Sequence, residues 1–383
     1  MKKQILAVAV AGAFAVPAFA AADSSVTLFG QLQTQVVHTS SSGGSLESGF
    51  RQYDAGGIAG GALSDALSSE FGDAPFGAGN FAFPGGAGDG AGPNRLGVNV
   101  NHDLGNGLTA LAKFEGDFQT GAASDEPGFE SGMRDIYVGL RGDFGQVIAG
   151  RMTSSYNTAG KDPLNATFMQ GRTNGARLGG LGGFGNGGYV ERGIRYSNSF
   201  GIVGLDVGAF IDNNDDSDTA FSARVNIDLD PVELYVAHAD YGDFQGGAST
   251  QRNSKIGVDW STGPFRVVGE VEDFKYGEDG LYAEGNTYFL SGTYTMGRND
   301  FVLNLGHTRR DSIDGNSIPN TDYAAIAVKH SFSNRVMAFA GVGYNSTDDL
   351  GYRLVEDDGV EVIEPTGRSL SFTGVGAGMR VSF

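Results

Sequence analysis

Apolar and polar side chains alternate at every second position along most of this sequence. The clearest run covers residues 219–229, and similar runs cover 93–103 and 299–309. In an extended strand, successive side chains point to opposite faces. Each of these segments therefore has one apolar face and one face that carries charges, amides or small residues. The pattern predicts an all-β protein whose strands lie between two different surroundings.

Sixteen segments of this kind occur, and each is close to the ~9–11 residues that a tilted strand needs to cross a bilayer. Short connectors such as 104–107 and 142–144 alternate with long ones such as 38–92, 152–189, 276–285 and 346–369. Tight turns on one rim and long loops on the other are typical of an outer-membrane barrel. We therefore predict a 16-stranded antiparallel transmembrane β-barrel. The predicted strands are 25–37, 93–103, 108–118, 132–142, 145–152, 190–199, 202–211, 219–229, 231–241, 251–260, 264–274, 286–295, 299–309, 321–331, 335–345 and 370–383.

A soluble β-sandwich is the alternative for such strands, because it buries the apolar face of one sheet against another. The N-terminus favours the barrel. Residues 1–22 begin with two lysines, continue with an apolar run and end in small-x-small sites, which predicts a signal peptide cleaved after Ala20 or Ala22. The apolar run is too short to cross the ~30 Å hydrocarbon core as a helix. The predicted mature chain is 23–383, a single barrel.

Charge and motif content exclude several other classes of protein. Without Lys2 and Lys3, 24 basic residues stand against 45 acidic ones, a formal net charge of −21, which argues against nucleic-acid binding. The chain has no cysteine, no Gly-x-Ser-x-Gly elbow and no His-Glu-x-x-His helix. Residues 180–185 spell a dinucleotide fingerprint but follow no parallel strand. Neither an enzyme nor a cofactor is expected.

Metal binding is also not expected. The five histidines are scattered without ligand spacing. The acidic stretch 212–218 is rich in oxygen ligands, but it lacks the central glycine and terminal glutamate of an EF-hand loop. A solvated external loop is the preferred interpretation, and bridging to lipopolysaccharide through divalent cations stays open for the acidic loops.

Six short segments fall in the same order as in one known family: Asp23–Gly30, Asn94–Gly97, Leu104–Leu108, Arg134–Gly145, Ala149–Met152 and Arg195–Asn198. Together they resemble the trimeric general porins of Gram-negative outer membranes, over most of the mature chain. The resemblance implies a passive diffusion channel for small hydrophilic solutes and ions in the bacterial outer membrane. It also implies a homotrimer in contact with lipid and lipopolysaccharide, with loop 119–131 a candidate for reaching a neighbour.

The last predicted strand ends the chain on Phe383. A terminal phenylalanine on an amphipathic strand is similar to that family's signal for the barrel-assembly machinery. One feature departs from the family: the first long loop, 38–92, exceeds the expected length, so the external mouth is not defined by the resemblance.

The resemblance also implies that the third long loop, 152–189, folds inward and narrows the lumen. Its charged residues are Lys161, Asp162, Arg172 and Arg177, and Asp162 is the only acid before Glu191. Candidate wall residues are Arg95, Arg134, Arg151 and Arg195, with Glu115 and Asp117 as lumen acids.

Parity places Arg95 and Arg195 on the polar face of their strands. Arg134 shares parity with Ile136 and Val138, so its position in the lumen rests on the resemblance or on a local bulge. These residues suggest an electropositive constriction that favours anions or zwitterions with carboxylates.

The alternative is a nearly neutral pore in which Arg172 and Arg177 pair with lumen acids. The candidates for that pairing are Glu115, Asp117, Glu270 and Glu272. Two other functions stay open: a substrate-specific porin, and a non-conducting surface or structural barrel whose loops plug the lumen. Single-channel conductance separates a plugged barrel from a pore.

Overall fold

The computed structural model of the protein describes most of the predicted barrel. The described residues are 24–43, 49–53, 94–117, 132–175, 186, 188–212, 219–242, 244, 250–278, 281–311, 319–348, 352–357 and 360–383. Three predicted features lie outside these residues: the signal peptide, most of loop 38–92 and loop 119–131. They stay predictions. No helix among the described residues is long and apolar enough to cross a membrane.

Nineteen strands are described, and sixteen of them form a closed antiparallel barrel. The barrel strands are β1, β3 to β16 and β19, and β1 closes the barrel by pairing with β19 on one side and β3 on the other. The bounds are β1 Ser24–Ser42, β2 Gly49–Tyr53, β3 Arg95–Gly105, β4 Leu108–Asp117, β5 Gly132–Gly142, β6 Gly145–Met152, β7 Val190–Phe200, β8 Val203–Phe210, β9 Ala220–Asp228, β10 Val232–Asp240, β11 Thr250–Thr262, β12 Phe265–Glu278, β13 Leu281–Met296, β14 Asn299–Arg310, β15 Thr321–Ser333, β16 Val336–Thr347, β17 Tyr352–Asp357, β18 Val360–Pro365 and β19 Leu370–Ser382.

The predicted all-β fold and the count of sixteen barrel strands are confirmed, with three corrections in the connectors. The sequence predicts the first connector at 38–92, but β1 continues to Ser42 and β2 pairs with it. The connector placed at 276–285 is mostly strand, because β12 and β13 pair up to Glu278 and Leu281. The connector placed at 346–369 contains the hairpin of β17 and β18.

The two faces of the barrel wall differ as the alternation predicts. Outward side chains are apolar and exposed, with Val138 at 63%, Ile256 at 60% and Ile326 at 61%. Inward side chains such as Gln33 and Asn304 are polar and buried. An apolar exterior around a polar interior suits a barrel wall that faces hydrocarbon, because lipid-facing and lumen-facing residues alternate along each strand.

Two apolar clusters lie inside this polar lumen. One packs Leu164, Phe168 and Met169 from the connector between β6 and β7 against wall residues such as Phe339 and Phe372. The other surrounds Tyr156 from the same connector and includes Met152, Phe210 and Tyr241. The connector is thus a packed part of the barrel interior.

Candidate functional site

The connector between β6 and β7 folds into the barrel. Its described part contains two short 3₁₀ helices, Ala159–Lys161 and Gly171–Thr173, joined by turns. The side chains of Tyr156, Leu164 and Phe168 have no solvent exposure. The described residues of the predicted loop 152–189 therefore lie inside the barrel, as an inward-folded loop requires.

The tip of this inward loop is bonded to β1 and β19, the strands that close the barrel. Gln33 Nε2 on β1 donates to the Ala166 carbonyl at 2.5 Å, and the Phe168 amide donates to Gln35 Oε1 at 3.0 Å. Arg380 on β19 donates to the Ala166 carbonyl at 3.3 Å. Backbone groups of the tip therefore find their partners on the wall.

Lys329 on β15 extends the same set of contacts. Its Nζ donates to the Pro163 carbonyl at 3.1 Å and lies 3.6 Å from Asp300. Tyr323 on the same strand donates its hydroxyl proton to the Met169 carbonyl. The tip is thus bonded to three strands of the wall, β1, β15 and β19.

Asp162, predicted as a charged residue of the constriction loop, is enclosed within the loop. It is 4% exposed. Its Oδ1 accepts from the Leu164 amide at 2.8 Å and from Asn304 Nδ2 at 2.7 Å, and its Oδ2 accepts from the Gly171 amide at 2.8 Å. The Asp162 carboxylate therefore stabilises the fold of the loop tip.

A first charge cluster lies on β3, β4 and β5. Glu115 is its centre, with Arg134 Nε at 2.6 Å, Lys113 Nζ at 2.7 Å and Arg95 Nε at 3.5 Å. Asp117 lies 3.8 Å from Arg134. The structure thus brings together two of the predicted wall arginines and both predicted lumen acids.

A β-bulge places Arg134 in this cluster although its parity predicts the opposite face. Phe114 pairs with Ile136, but Gly116 pairs with Met133, so β5 has one more residue than β4 between these pairs. The extra residue lets Arg134 and Asp135 both reach lumen partners while Met133 stays exposed outside.

The aromatic ring of Tyr189 lies beside the same arginine. The Arg134 guanidinium carbon is 4.8 Å from the centroid of the ring. Burial raises the pKa of the Tyr189 phenol, although the Arg134 charge opposes this shift. Tyr189 is therefore neutral at ordinary pH, and its aromatic ring makes a cation–π contact with the Arg134 guanidinium.

A second charge cluster lies where the inward loop begins. Arg195 Nε is 3.0 Å from Asp206, and Arg224 is 3.7 Å from the same carboxylate. Both arginines also donate to loop carbonyls, Arg195 to Thr153 at 2.9 Å and Arg224 to Asn157 at 2.8 Å. Arg195 therefore holds the loop as well as contributing charge.

The remaining loop and wall cations occupy separate places. Lys161 is paired with Glu233 and lies 3.0 Å from Asp259. Arg151 donates to the Met133 carbonyl and pairs with Glu191 at 3.1 Å, so it joins neither cluster. Arg172 donates to the Asn186 carbonyl at 2.7 Å, whereas Arg177 lies outside the described residues.

Sequence reasoning missed several cations of this lumen, among them Arg380 and Lys329. Arg380 Nε donates to Gln33 Oε1 at 2.7 Å, and no carboxylate of the described residues lies within ion-pair distance of it. The signal was present in the alternation, since Arg380 and Lys329 stand at inward positions of β19 and β15. No group of three potential ligands that could hold a metal ion occurs among the described residues.

Comparison with known proteins points to one family. A family model described as Gram-negative porin matches residues 7–350. Outer membrane porin protein 32 of Delftia acidovorans is 26% identical over 406 residues, covering 100% of each chain.

Solved structures share the fold. An anion-selective porin from Comamonas acidovorans aligns with a TM-score of 0.68 at 21% identity, covering 94% of this chain and 100% of that one. The trimer form of OmpT from Vibrio cholerae aligns with a TM-score of 0.58 at 13% identity, covering 94% of this chain and 99% of that one.

Proposed function

The chain belongs to the Gram-negative porin family, and from this premise we propose that its channel favours anions at the constriction formed by the inward loop. As a member of that family it is an outer-membrane porin, through which small hydrophilic solutes and ions diffuse passively. The proposed part is the selectivity and the residues that set it: Arg95, Arg134 and Arg195 from the predicted set, with Arg380 and Lys329 added.

The observation that carries this proposal is the environment of Arg380. Its bonding partners are the neutral Gln33 side chain and the carbonyls of Asn165 and Ala166, so its charge is not cancelled by a carboxylate among the described residues. Arg95 is its cationic neighbour and retains 34% side-chain exposure. Arg95 is paired with Glu115 at 3.5 Å, whereas Arg380 has no matching acid among the described residues and so gives this part of the lumen an excess of positive charge.

The acidic composition of the whole chain does not oppose this preference. The formal net charge is −19, but charges farther than the Debye length of ~8 Å are largely screened at physiological ionic strength. An ion in a narrow ring lies within a few ångströms of the charged side chains that line it. The nearest acid of the loop, Asp162, is enclosed by three hydrogen-bond donors.

The proposed assembly is a homotrimer in contact with outer-membrane lipid. The trimer form of OmpT with the same fold supports this assembly. The small outward side chains Ala338, Ala340 and Ala377 on β16 and β19 also support it, because small side chains let two barrel walls approach closely.

Reversal potentials across a planar bilayer under a salt gradient test the selectivity. We expect an anion preference for the wild-type channel and a shift towards cations for Arg380→Gln, which keeps an N–H donor near the position of Arg380 Nε, the atom that bonds Gln33, but removes the charge. Arg335→Gln, in an exposed turn, is the matched control and should leave the potential unchanged. A cation preference in the wild type, or an unchanged potential in Arg380→Gln, contradicts the proposal.

A further inference from the structure

The base of the inward loop is attached to the wall by a buried lysine, Lys255 on β11. From its contacts we infer that Lys255 is a positioning residue that joins both arms of the loop to the barrel wall and thereby sets the open width of the pore. The first arm leaves β6 and contains Thr158, and the second arm returns to β7 and contains Asn186. This inference requires a conducting channel but not the proposed anion preference.

The ammonium group of Lys255 is fully enclosed. Its side chain has 0% exposure. Nζ lies 2.7 Å from Thr158 Oγ1 and 2.8 Å from Asn186 Oδ1, so it donates to both arms. The third side of the ammonium faces the Tyr156 ring, whose centroid is 3.8 Å away. The ammonium group therefore contacts loop groups on three sides.

The two arms are also bonded to each other at this point. The Thr158 amide donates to Asn186 Oδ1 at 2.9 Å, and Arg172 near the tip donates to the Asn186 carbonyl at 2.7 Å. A displacement of Asn186 would therefore disturb both arms and the tip. By comparison, Ser155, which donates to Asp206 at 2.6 Å, ties only the first arm to the wall.

Glu270 on β12 balances the lysine charge from the wall side. Its Oε1 lies 3.9 Å from Lys255 Nζ, and its Oε2 accepts from Thr158 Oγ1 at 2.9 Å and from the Tyr235 hydroxyl at 2.8 Å. Because both ions are buried, removal of one partner leaves the other uncompensated, which is strongly destabilising. The ion pair of Lys255 and Glu270 therefore links the position of the loop to the stability of the barrel wall.

Lys255→Met tests the inference, since it keeps the aliphatic volume and removes the donor. In planar bilayers we expect a larger single-channel conductance, more open-channel noise and closure at a lower voltage than in the wild type. Lys275→Met is the matched control, because Lys275 pairs with Glu284 on the outward face of β12 and β13. It should leave all three readouts unchanged.

A second variant separates loop position from barrel stability. In Lys255→Met/Glu270→Gln neither ion remains, so we expect the heat resistance of the folded barrel to recover while the conductance stays altered. This double variant also serves if Lys255→Met alone does not fold. Wild-type conductance, noise and closing voltage in a folded double variant would overturn the inference.

A reversible rescue adds a readout that a purely structural role would not change. The chain has no cysteine, and the Ser155 amide lies 2.9 Å from Ser222 Oγ on β9. Adding Ser155→Cys and Ser222→Cys to the double variant allows a disulfide to fasten the first arm to the wall. Oxidation should return conductance and noise towards wild-type values, and reduction should abolish the recovery. If both redox states conduct like the unfastened double variant, the altered conductance does not come from loop position and the inference fails.

Discussion

Asp162 shows how a single carboxylate can organise a loop instead of facing the solute. Three N–H donors enclose it, from Leu164, Gly171 and Asn304. In Asp162→Asn one carboxylate oxygen becomes an NH₂ group, which cannot accept from an amide. We expect the loop to lose about 1–3 kcal/mol of local stability, the usual cost of an unsatisfied buried polar group.

Hydrogen–deuterium exchange of the folded protein measures this loss. The amides of Leu164 and Gly171 should exchange faster in Asp162→Asn than in the wild type. Asp311→Asn, at an exposed position beside Arg309, is the control and should exchange like the wild type in this loop. Equal protection in Asp162→Asn and wild type would mean that the three hydrogen bonds contribute little.

The sequence predicted some of the lumen residues and could not predict others. Parity was sufficient for Arg95 and Arg195, because their strands are regular where they stand. It failed for Arg134, because the bulge in β5 becomes visible only from the pairing with β4. The role of Asp162 was also not predictable, since its partner Asn304 is 142 positions away.

At the scale of strands, one cross-strand contact illustrates how the wall accommodates large side chains. Tyr235, Gly257 and Glu270 are directly opposite one another on β10, β11 and β12. The Tyr235 ring crosses over Gly257, and its hydroxyl group donates to Glu270 Oε2 at 2.8 Å. A Cβ at Gly257 would lie 2.1 Å from Tyr235 Cζ, so the contact depends on the missing side chain.

Gly257→Val should therefore displace Tyr235 and weaken the barrel. Overpacking of this kind costs about 1–3 kcal/mol, and the lost bond to Glu270 adds to it. We expect the folded form to convert to the unfolded form at a lower temperature on SDS gels. Gly292→Val is the control, because a Cβ there meets no atom within 4 Å. A similar decrease in both variants would point to a general cost of losing glycine.

Strands β12 and β13 extend beyond their predicted ends for a physical reason. On β12 and β13 the outward side chains near the connector include Asp273, Lys275 and Glu284, which are charged. Above the hydrocarbon both faces of a hairpin meet water, so the alternation that revealed the membrane-spanning part disappears. The same strands remain paired by backbone hydrogen bonds, which leave no trace in the sequence pattern.

At the scale of the whole molecule, closure of the barrel ends at Phe383. Its amide donates to the Gly30 carbonyl and its carbonyl accepts from the Gly30 amide, both at 3.0 Å. Its ring lies over Gly30, where a Cβ would be 2.3 Å from Phe383 Cζ. The terminal residue is thus bonded to the first strand as well as being a candidate signal for the assembly machinery.

Phe383→Ala separates these two roles. It keeps the backbone bonds and loses the ring, so refolding from urea into lipid vesicles should decrease only slightly. If the ring is read by the assembly machinery, the amount of protein in the outer membrane of cells should fall much further. Equal decreases in cells and in vesicles would show that the ring acts through stability alone.

The attachment of the loop tip to Gln33, Gln35 and Arg380 has a consequence for the order of events during biogenesis. These residues stand on β1 and β19, the strands that close the barrel. The constriction can therefore take its final shape only when these two strands have paired. A barrel in which β19 has not yet paired with β1 would be more permeable than the closed barrel. The size limit of the channel is therefore set last, after the barrel wall has formed.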